Sequence, residues 1–398
     1  MSGLAYLFER FPSFTQTFCY REIAALRREG IAPAIFSIRR PLDEPPQNWD
    51  GAIVREVVYL PGEEELVREV DRGLRKGLLP RRAADEMAAW NRKTDFLRLY
   101  QAAWLGPRLE AQGVRHLHAH FAGMAARTAW WVERFFRIGF SFTGHANDIF
   151  APKPFEVSLG KLLGGARAVV TVSDFAVRFL REKFPESAGK IERIYNGIEL
   201  ERFAPADFSS APPLILSVGR LIEKKGFADL IAACRILRER GIEFRAQIIG
   251  EGPLESELRE QIAAGGLAKF VELAGPLPQE EVIARLARSA VFALPCVTEA
   301  GGGMDNLPTV VMEAMAAGLP VVSTPVSGVP EMVVPDQTGL LVPERDPAAI
   351  ADALARLLQD PALARSLGEK GRARAAALFS IERSGRDLRS LFARLGAL

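Results

Sequence analysis

Residues 302–320, GGMDNLPTVVMEAMAAGLP, set two carboxylates, Asp305 and Glu313, eight residues apart across the junction of a loop and a helix. The stretch follows a short apolar run, 291–294, that reads as a buried strand, and strand, loop and amphipathic helix in that order are the unit of a parallel α/β sheet. The first-turn amides of the helix, near residues 308–310, have no intrahelical partner and form a place for a phosphate. Asp305 then faces what lies before the helix, and Glu313, more than a turn along, what lies beside it. A ligand with hydroxyls at both ends and a diphosphate between them, the shape of a nucleotide diphosphate-sugar, suits this spacing. Two acids near a helix start are also commonly a solvated face and a cap, so the rest of the chain has to decide.

Outward from that stretch, short β-branched or aromatic runs alternate with longer helical patterns, and the series appears twice. Strands are expected at 4–8, 34–38, 54–60, 114–117, 140–143, 168–172 and 191–195, then at 214–218, 245–249, 271–274, 291–294 and 320–323. The Pro-, Ser- and Ala-rich segment 203–213, FAPADFSSAPP, separates the two series and reads as a linker. From residue 346 the chain is Ala-, Leu- and Arg-rich with prolines at 347 and 361, and predicts two or three helices, the last over 380–395. The fold class is therefore α/β: two Rossmann-like, doubly wound domains, with boundaries at 1–205, 206–378 and a terminal helix at 379–398. Ligands bind at the carboxyl ends of such sheets, so the site is expected in the cleft between facing domains.

At 398 residues the chain exceeds the size at which a single core keeps growing, which supports two domains. Net charge is +2, but residues 1–205 hold 30 Lys/Arg against 25 Asp/Glu, leaving 21 against 24 for the remainder. The basic first half is the one expected to meet an anionic surface. Cys19, Cys234 and Cys296 are far apart and read as reduced core thiols of a cytoplasmic protein. No apolar run approaches the roughly 20 residues of a membrane span, and no cationic-apolar leader opens the chain, so membrane contact is expected to be peripheral.

Several motifs lie at expected strand ends. VGRLIEKKG, 218–226, follows a strand and leads into a helix; Arg220 offers a planar fork and Lys225 a point charge for a leaving diphosphate, although a basic surface loop has the same composition. IIGEGPL, 248–254, lacks the third glycine of a dinucleotide fingerprint and reads as a tight turn. FVELAGPL, 270–277, puts a Gly-Pro turn where backbone groups meet a flat base. His116, His118 and His120 alternate in HLHAHF and share one face of a strand, but no acidic or sulfur ligand motif accompanies them, so no metal is expected; His120, at the strand end, is expected to line the cleft. His145, in SFTGHANDIF, also follows a strand, where an imidazole can bond a sugar hydroxyl or steady positive charge; Asp148 either orients it or caps the next helix. The loop FPSFTQTF, 11–18, carries Ser13, Thr15 and Gln16, suited to acceptor hydroxyls, a phosphate or a helix cap. The basic, aromatic segment from 73 to 93, continuing to Trp104, is either a helix resting on anionic lipid or a solvated helical hairpin.

SFTGHANDIF, TVSDF, IYNGIELERF, LSVGRLIEKKG, IIGEGPLESEL and NLPTVVMEAMAAGLPVVSTPVSGVPE, in this order, resemble the GT4-type retaining glycosyltransferases of the GT-B fold. FERFPSFTQTFCYREI and HLHAHFA further resemble their bacterial exopolysaccharide, colanic-acid-type branch. The resemblance implies transfer of a sugar from a UDP- or GDP-sugar to a glycan or polyprenyl-diphosphate-linked acceptor, with retained configuration and neither metal nor other cofactor. It implies the cytoplasmic face of the plasma membrane as the workplace, and no nucleic-acid partner. Arg220 and Lys225 match the family's diphosphate pair, with Gly219 before them, and His145 its donor-side histidine. Asp305 and Glu313 match the acids of its E-x7-E motif, with Asp in place of the first Glu and NLP in place of the usual GFG. Asn306, Leu307, Pro308, Thr309 and Leu277 fall on the donor side by the same resemblance, which also implies that the terminal helix returns to the N-terminal domain. A nucleotide-sugar epimerase and a non-catalytic nucleotide-sugar-binding component are the competing readings; intact Arg220, Lys225, His145 and Glu313 favour an enzyme.

Overall fold

The computed structural model describes residues 3–42, 44–45, 47–90, 95–208 and 211–398. The chain divides into two compact units. The first gathers the chain up to Glu44, Asn48–Tyr195 and Glu382–Leu398; the second comprises Asn196–Ile381 and the short piece Pro45–Gln47. The sequence placed the division at 205/206. It falls at 195/196 because the following residues bond within the second unit: the Ile198 amide donates to the Phe379 carbonyl at 2.8 Å, and the Ala206 amide to the Ala317 carbonyl at 2.8 Å. Residues 209–210 of the expected linker, and 91–93 of the basic segment, lie outside the described residues.

The first unit is built on a sheet of seven parallel strands: β1 Leu4–Arg10, β2 Ala34–Arg39, β3 Val58–Tyr59, β4 His116–His120, β5 Gly139–Gly144, β6 Ala168–Thr171 and β7 Ile191–Arg193. Their order is β3-β2-β1-β4-β5-β6-β7, so the winding reverses between β1 and β4. The strand expected over 54–60 is a short helix, Gly51–Arg55, followed by β3. The Asp50 side chain accepts the Ala52 amide at 2.7 Å and starts that helix, and Ile53 is the residue it buries. The basic segment begins in the last turn of the helix Glu63–Arg75 and supplies the helix Arg81–Trp90, and Trp104 on Leu97–Ala111 donates its indole N–H to Glu69 at 2.6 Å. The last helix, Ile381–Arg394, lays Leu388, Leu391 and Phe392 into the core of this unit beside Tyr6, Phe8 and Ile23.

The second unit holds six parallel strands: β8 Leu214–Val218, β9 Arg245–Ile249, β10 Val271–Leu273, β11 Val291–Leu294, β12 Val321–Ser323 and β13 Gly339–Leu341. Their order is β10-β9-β8-β11-β12-β13, and the winding reverses between β8 and β11. Strand β13 was not expected from the sequence; Thr338–Val342 is too short a run to stand out, and the register Val321↔Gly339 admits it because a Cβ at Gly339 would meet the Val321 carbonyl. Both sheets are wholly parallel, and in sheets of this kind ligands bind at the reversal point, where the loops after the flanking strands diverge. Among the described residues no helix is long and apolar enough to cross a membrane.

Candidate active site

In the second unit the loops after β8 and β11 meet at the reversal point. The turn after β8 runs through Gly219 and exposed Arg220 into a 3-10 turn, Glu223–Lys225, and then the helix Phe227–Glu239. Gly226, at φ +68°, has to be glycine: a Cβ there would strike the Pro295 carbonyl. That close approach draws the two lysines under the loop that follows β11. Lys225 Nζ lies 2.5 Å from Asp305 Oδ2, and Lys224 Nζ 3.5 Å from Asp305 Oδ1. The Cys296 thiol donates to Asp305 Oδ2 at 3.6 Å. Burial works against charge on Asp305, but the two ammonium groups prevail and hold its carboxyl below the usual range; burial likewise opposes charge on Lys225, and Asp305 raises it. Burial pushes the Cys296 thiol up, so it stays a neutral donor.

Past Asp305, the buried residues Asn306 and Leu307 lead to Pro308, the N-cap of the helix Thr309–Ala316, which has no side-chain cap. Proline cannot cap through its side chain, so the partly exposed first turn at Thr309 and Val310 offers its amides to an outside acceptor. Glu313 sits one turn further on the same helix, buried. Leu277, half-buried, follows the Gly275 turn, where the Gly250 amide donates to the Gly275 carbonyl at 2.9 Å. The 248–254 motif is thus a tight turn whose backbone bonds to its neighbours. One buried and one half-buried ammonium group, an exposed guanidinium nearby and an uncapped helix start make a cationic site shaped for a polyanion.

In the first unit the reversal point gathers all four histidines of the chain. β4 aligns His118 with Ser141 and His120 with Thr143 of β5, and His116, His118, His120 and His145 are all buried. The sequence expectation that His120 lines a cleft is overturned, because the ring is fully enclosed: Tyr6, Phe8 and His145 stack on it at centroid distances of 5.9, 5.2 and 5.5 Å. An acid and a thiol do reach it, from the helix Thr17–Arg28, whose Cys19 and Glu22 sit three residues apart on one face. Glu22 Oε1 lies 3.2 Å from His120 Nε2 and accepts the Tyr6 hydroxyl at 2.6 Å. Burial alone would lower the His120 pKa; Cys19 and Glu22 instead raise it to about 10. Burial raises the Cys19 thiol while His120 pulls it down; burial likewise opposes charge on Glu22, but His120 and the Tyr6 hydroxyl hold its carboxyl below the usual range. Glu22, His118 and His120 each place a ligand atom within 4.8 Å of the others. Both nitrogens of His118 are also hydrogen-bonded, to Ser141 Oγ at 2.7 Å and Thr143 Oγ1 at 3.0 Å.

His145 follows β5 and caps the helix Ala146–Phe150. Its Nε2 lies 3.2 Å from His120 Nδ1, and its backbone carbonyl accepts the Asp148 amide at 2.9 Å, so both ring and backbone are engaged within this unit. Burial, then the charge on His120, lowers it to about 3: His145 is a neutral imidazole. Asp148 acts as a cap, accepting the amides of Ala122 at 3.0 Å and His145 at 3.3 Å. In the loop before the first helix, Ser13 is buried and donates to Glu44 Oε1 at 3.1 Å, while the Phe14 amide donates to Glu44 Oε2 at 2.5 Å. The loop thus already holds a carboxylate of its own chain, with Thr15 exposed beside it and Gln16 forming no side-chain cap. Glu22, Tyr6, Glu44 and Lys224 were absent from the sequence reading. Only Lys224 had a local signal, its place in the same basic turn.

The family described as "Glycosyltransferase Family 4" matches residues 15–202, and "Glycosyl transferases group 1" matches residues 200–374. The chain is 48% identical over 165 residues to a putative colanic acid biosynthesis glycosyltransferase of Escherichia coli, covering 41% of each chain. It is 46% identical over 177 residues to an amylovoran biosynthesis glycosyltransferase of Erwinia amylovora, covering 44% of each. It thus spans less than half the length of these curated relatives. Among solved structures, sucrose-phosphate synthase from Thermosynechococcus elongatus aligns at TM-score 0.75 and 22% identity, over 99% of both chains. Anabaena HepE in complex with UDP aligns at TM-score 0.70 and 16% identity, over 99% of this chain and 100% of that one, a likeness of fold.

Proposed function

The chain belongs to the GT4-type glycosyltransferases, and from that premise we propose that it is a retaining hexosyltransferase. It takes a UDP- or GDP-sugar as donor and a glycan or polyprenyl-diphosphate-linked glycan as acceptor, in the synthesis of a bacterial surface polysaccharide. The observation that carries this reading is the meeting of Lys224 and Lys225 with Asp305 beside the uncapped start of the Thr309–Ala316 helix. Cations this enclosed need a counter-anion at hand, and a diphosphate matches them in charge and reach.

In this reading no covalent nucleophile takes part and no metal is needed. Arg220, Lys225 and the amides near Thr309 stabilise the departing diphosphate as the acceptor oxygen bonds to the sugar carbon from the same face. Glu313 holds the far end of the donor. A neutral His145 in the first unit suits a hydroxyl or a developing positive charge, since it adds no cation of its own. The excess of positive charge in residues 1–205 supports a peripheral place on an anionic membrane, at the cytoplasmic face, for a lipid-linked acceptor.

Calorimetry with UDP, GDP and ADP, alone and as sugar conjugates and without divalent metal, tests the donor assignment. One diphosphate should bind tightly to the wild type and lose that affinity in Glu313→Ala; a wild type that binds none of them overturns it.

A further inference from the structure

Asp305 has both carboxylate oxygens engaged inside the chain: Oδ2 with Lys225 Nζ at 2.5 Å and the Cys296 thiol at 3.6 Å, Oδ1 with Lys224 Nζ at 3.5 Å. It is one methylene shorter than a glutamate and buried, so it reaches the lysines and little beyond them. We infer that Asp305 is the internal stand-in for the donor's diphosphate, a positioning residue that neutralises the two lysines until phosphate oxygens replace it, rather than a grip on the donor sugar. The inference rests on the donor reading above.

The electrostatics of the site support the exchange. Arg220, Lys224 and Lys225 against Asp305 leave a local charge of +2; without the carboxylate the same groups present +3 to an incoming anion. The ammonium groups are largely enclosed and need a counter-charge, and the shortest contact available to Lys225 is the one a phosphate oxygen would have to take. Donor binding is then a competition between two anions for one cation pair. A change at Asp305 acts first on the diphosphate, whatever sugar is attached.

The test is calorimetric titration of wild type and Asp305→Asn with inorganic pyrophosphate, with the bare nucleoside diphosphate and with the nucleotide-sugar, at low and high salt. The amide keeps the shape and removes the charge. Asp305→Asn should bind pyrophosphate and bare diphosphate roughly tenfold more tightly at low salt, with the gain shrinking as salt screens it. The nucleotide-sugar should gain by the same factor. Bare-anion binding that is unchanged or weaker, with the nucleotide-sugar weakened, overturns the inference and returns Asp305 to a sugar-binding role. Circular dichroism checks the fold of the variant, and Asp305→Ser, also neutral and smaller, carries the same expectation if the amide fails to fold. Pyrophosphate binding reads the lysine pair even where no nucleotide binds, so failure of the donor reading and failure of this inference give different results.

Discussion

At the reversal point of each sheet a buried acid sits among polar partners, Glu22 in the first unit and Asp305 in the second, and the two differ in the company they keep. Glu22 faces an imidazole, a phenol and a thiol; Asp305 faces two ammonium groups and a thiol. Burial is comparable, so the difference lies in the partners. Lys225, raised by Asp305, keeps its charge across the neutral range, which makes the second cluster a standing cationic site. The histidine cluster divides one proton inventory among rings that disagree: His120 is raised to about 10 while His116 and His145 are lowered to about 3. The first site is thereby built for hydrogen bonding and positioning, the second for binding charge.

The sharpest way to break this contrast is Lys225→Ala. It removes a cation from the leaving diphosphate and strands Asp305, so turnover should fall by about 100- to 1000-fold, far more than donor affinity, in steady-state assays with separate donor binding. Turnover at the wild-type level would sink the assignment, and Arg220→Ala should follow the same pattern. Glu22→Gln should be the next largest effect. It keeps a hydrogen-bond acceptor for Tyr6 but leaves the His120 charge without its partner, at about 3–5 kcal/mol of stability, visible as a lowered denaturation midpoint. A stability equal to wild type would mean that His120 is neutral.

Acid should separate the two units. His116 and His145 have folded pKa values below the unfolded value of about 6.5, so their contribution is complete above that pH and is lost as pH falls toward 3. His120 has the opposite sign: its contribution is complete below about 6.5 and is lost as pH rises through about 10. Hydrogen exchange between pH 6.5 and 4 should show β4 and β5 losing protection before β8 and β11; simultaneous loss would contradict the division of labour. The smallest effect belongs to Thr15→Ala, exposed beside a loop that already holds Glu44, with a stability change within about 0.5 kcal/mol by thermal unfolding.

Much of this was legible in the chain. The strands over 214–218, 245–249 and 291–294 match the structure residue for residue, because central parallel strands read as apolar runs closed by glycine turns. Two of the four edge strands were misjudged: β3 has two residues and β13 three, lengths at which neighbouring strands decide. The basic turn was visible at Lys225, yet its pairing with Asp305 was not, because the contact depends on two loops that only the sheet order brings together.

The histidine face shows the same limit more plainly. Alternation in HLHAHF fixes three rings on one side of a strand, and the sequence alone establishes that. That Glu22 and Cys19 sit against His120, that the ring is sealed beneath Tyr6 and Phe8, and that the chain's own Glu44 fills the Ser13 loop are outcomes of packing. Period and turn chemistry are local properties carried by a few consecutive residues, so the sequence determined the class of fold and the candidate blocks. The charge state and partner of a buried group depend on which distant elements close over it, and that only the tertiary structure decided.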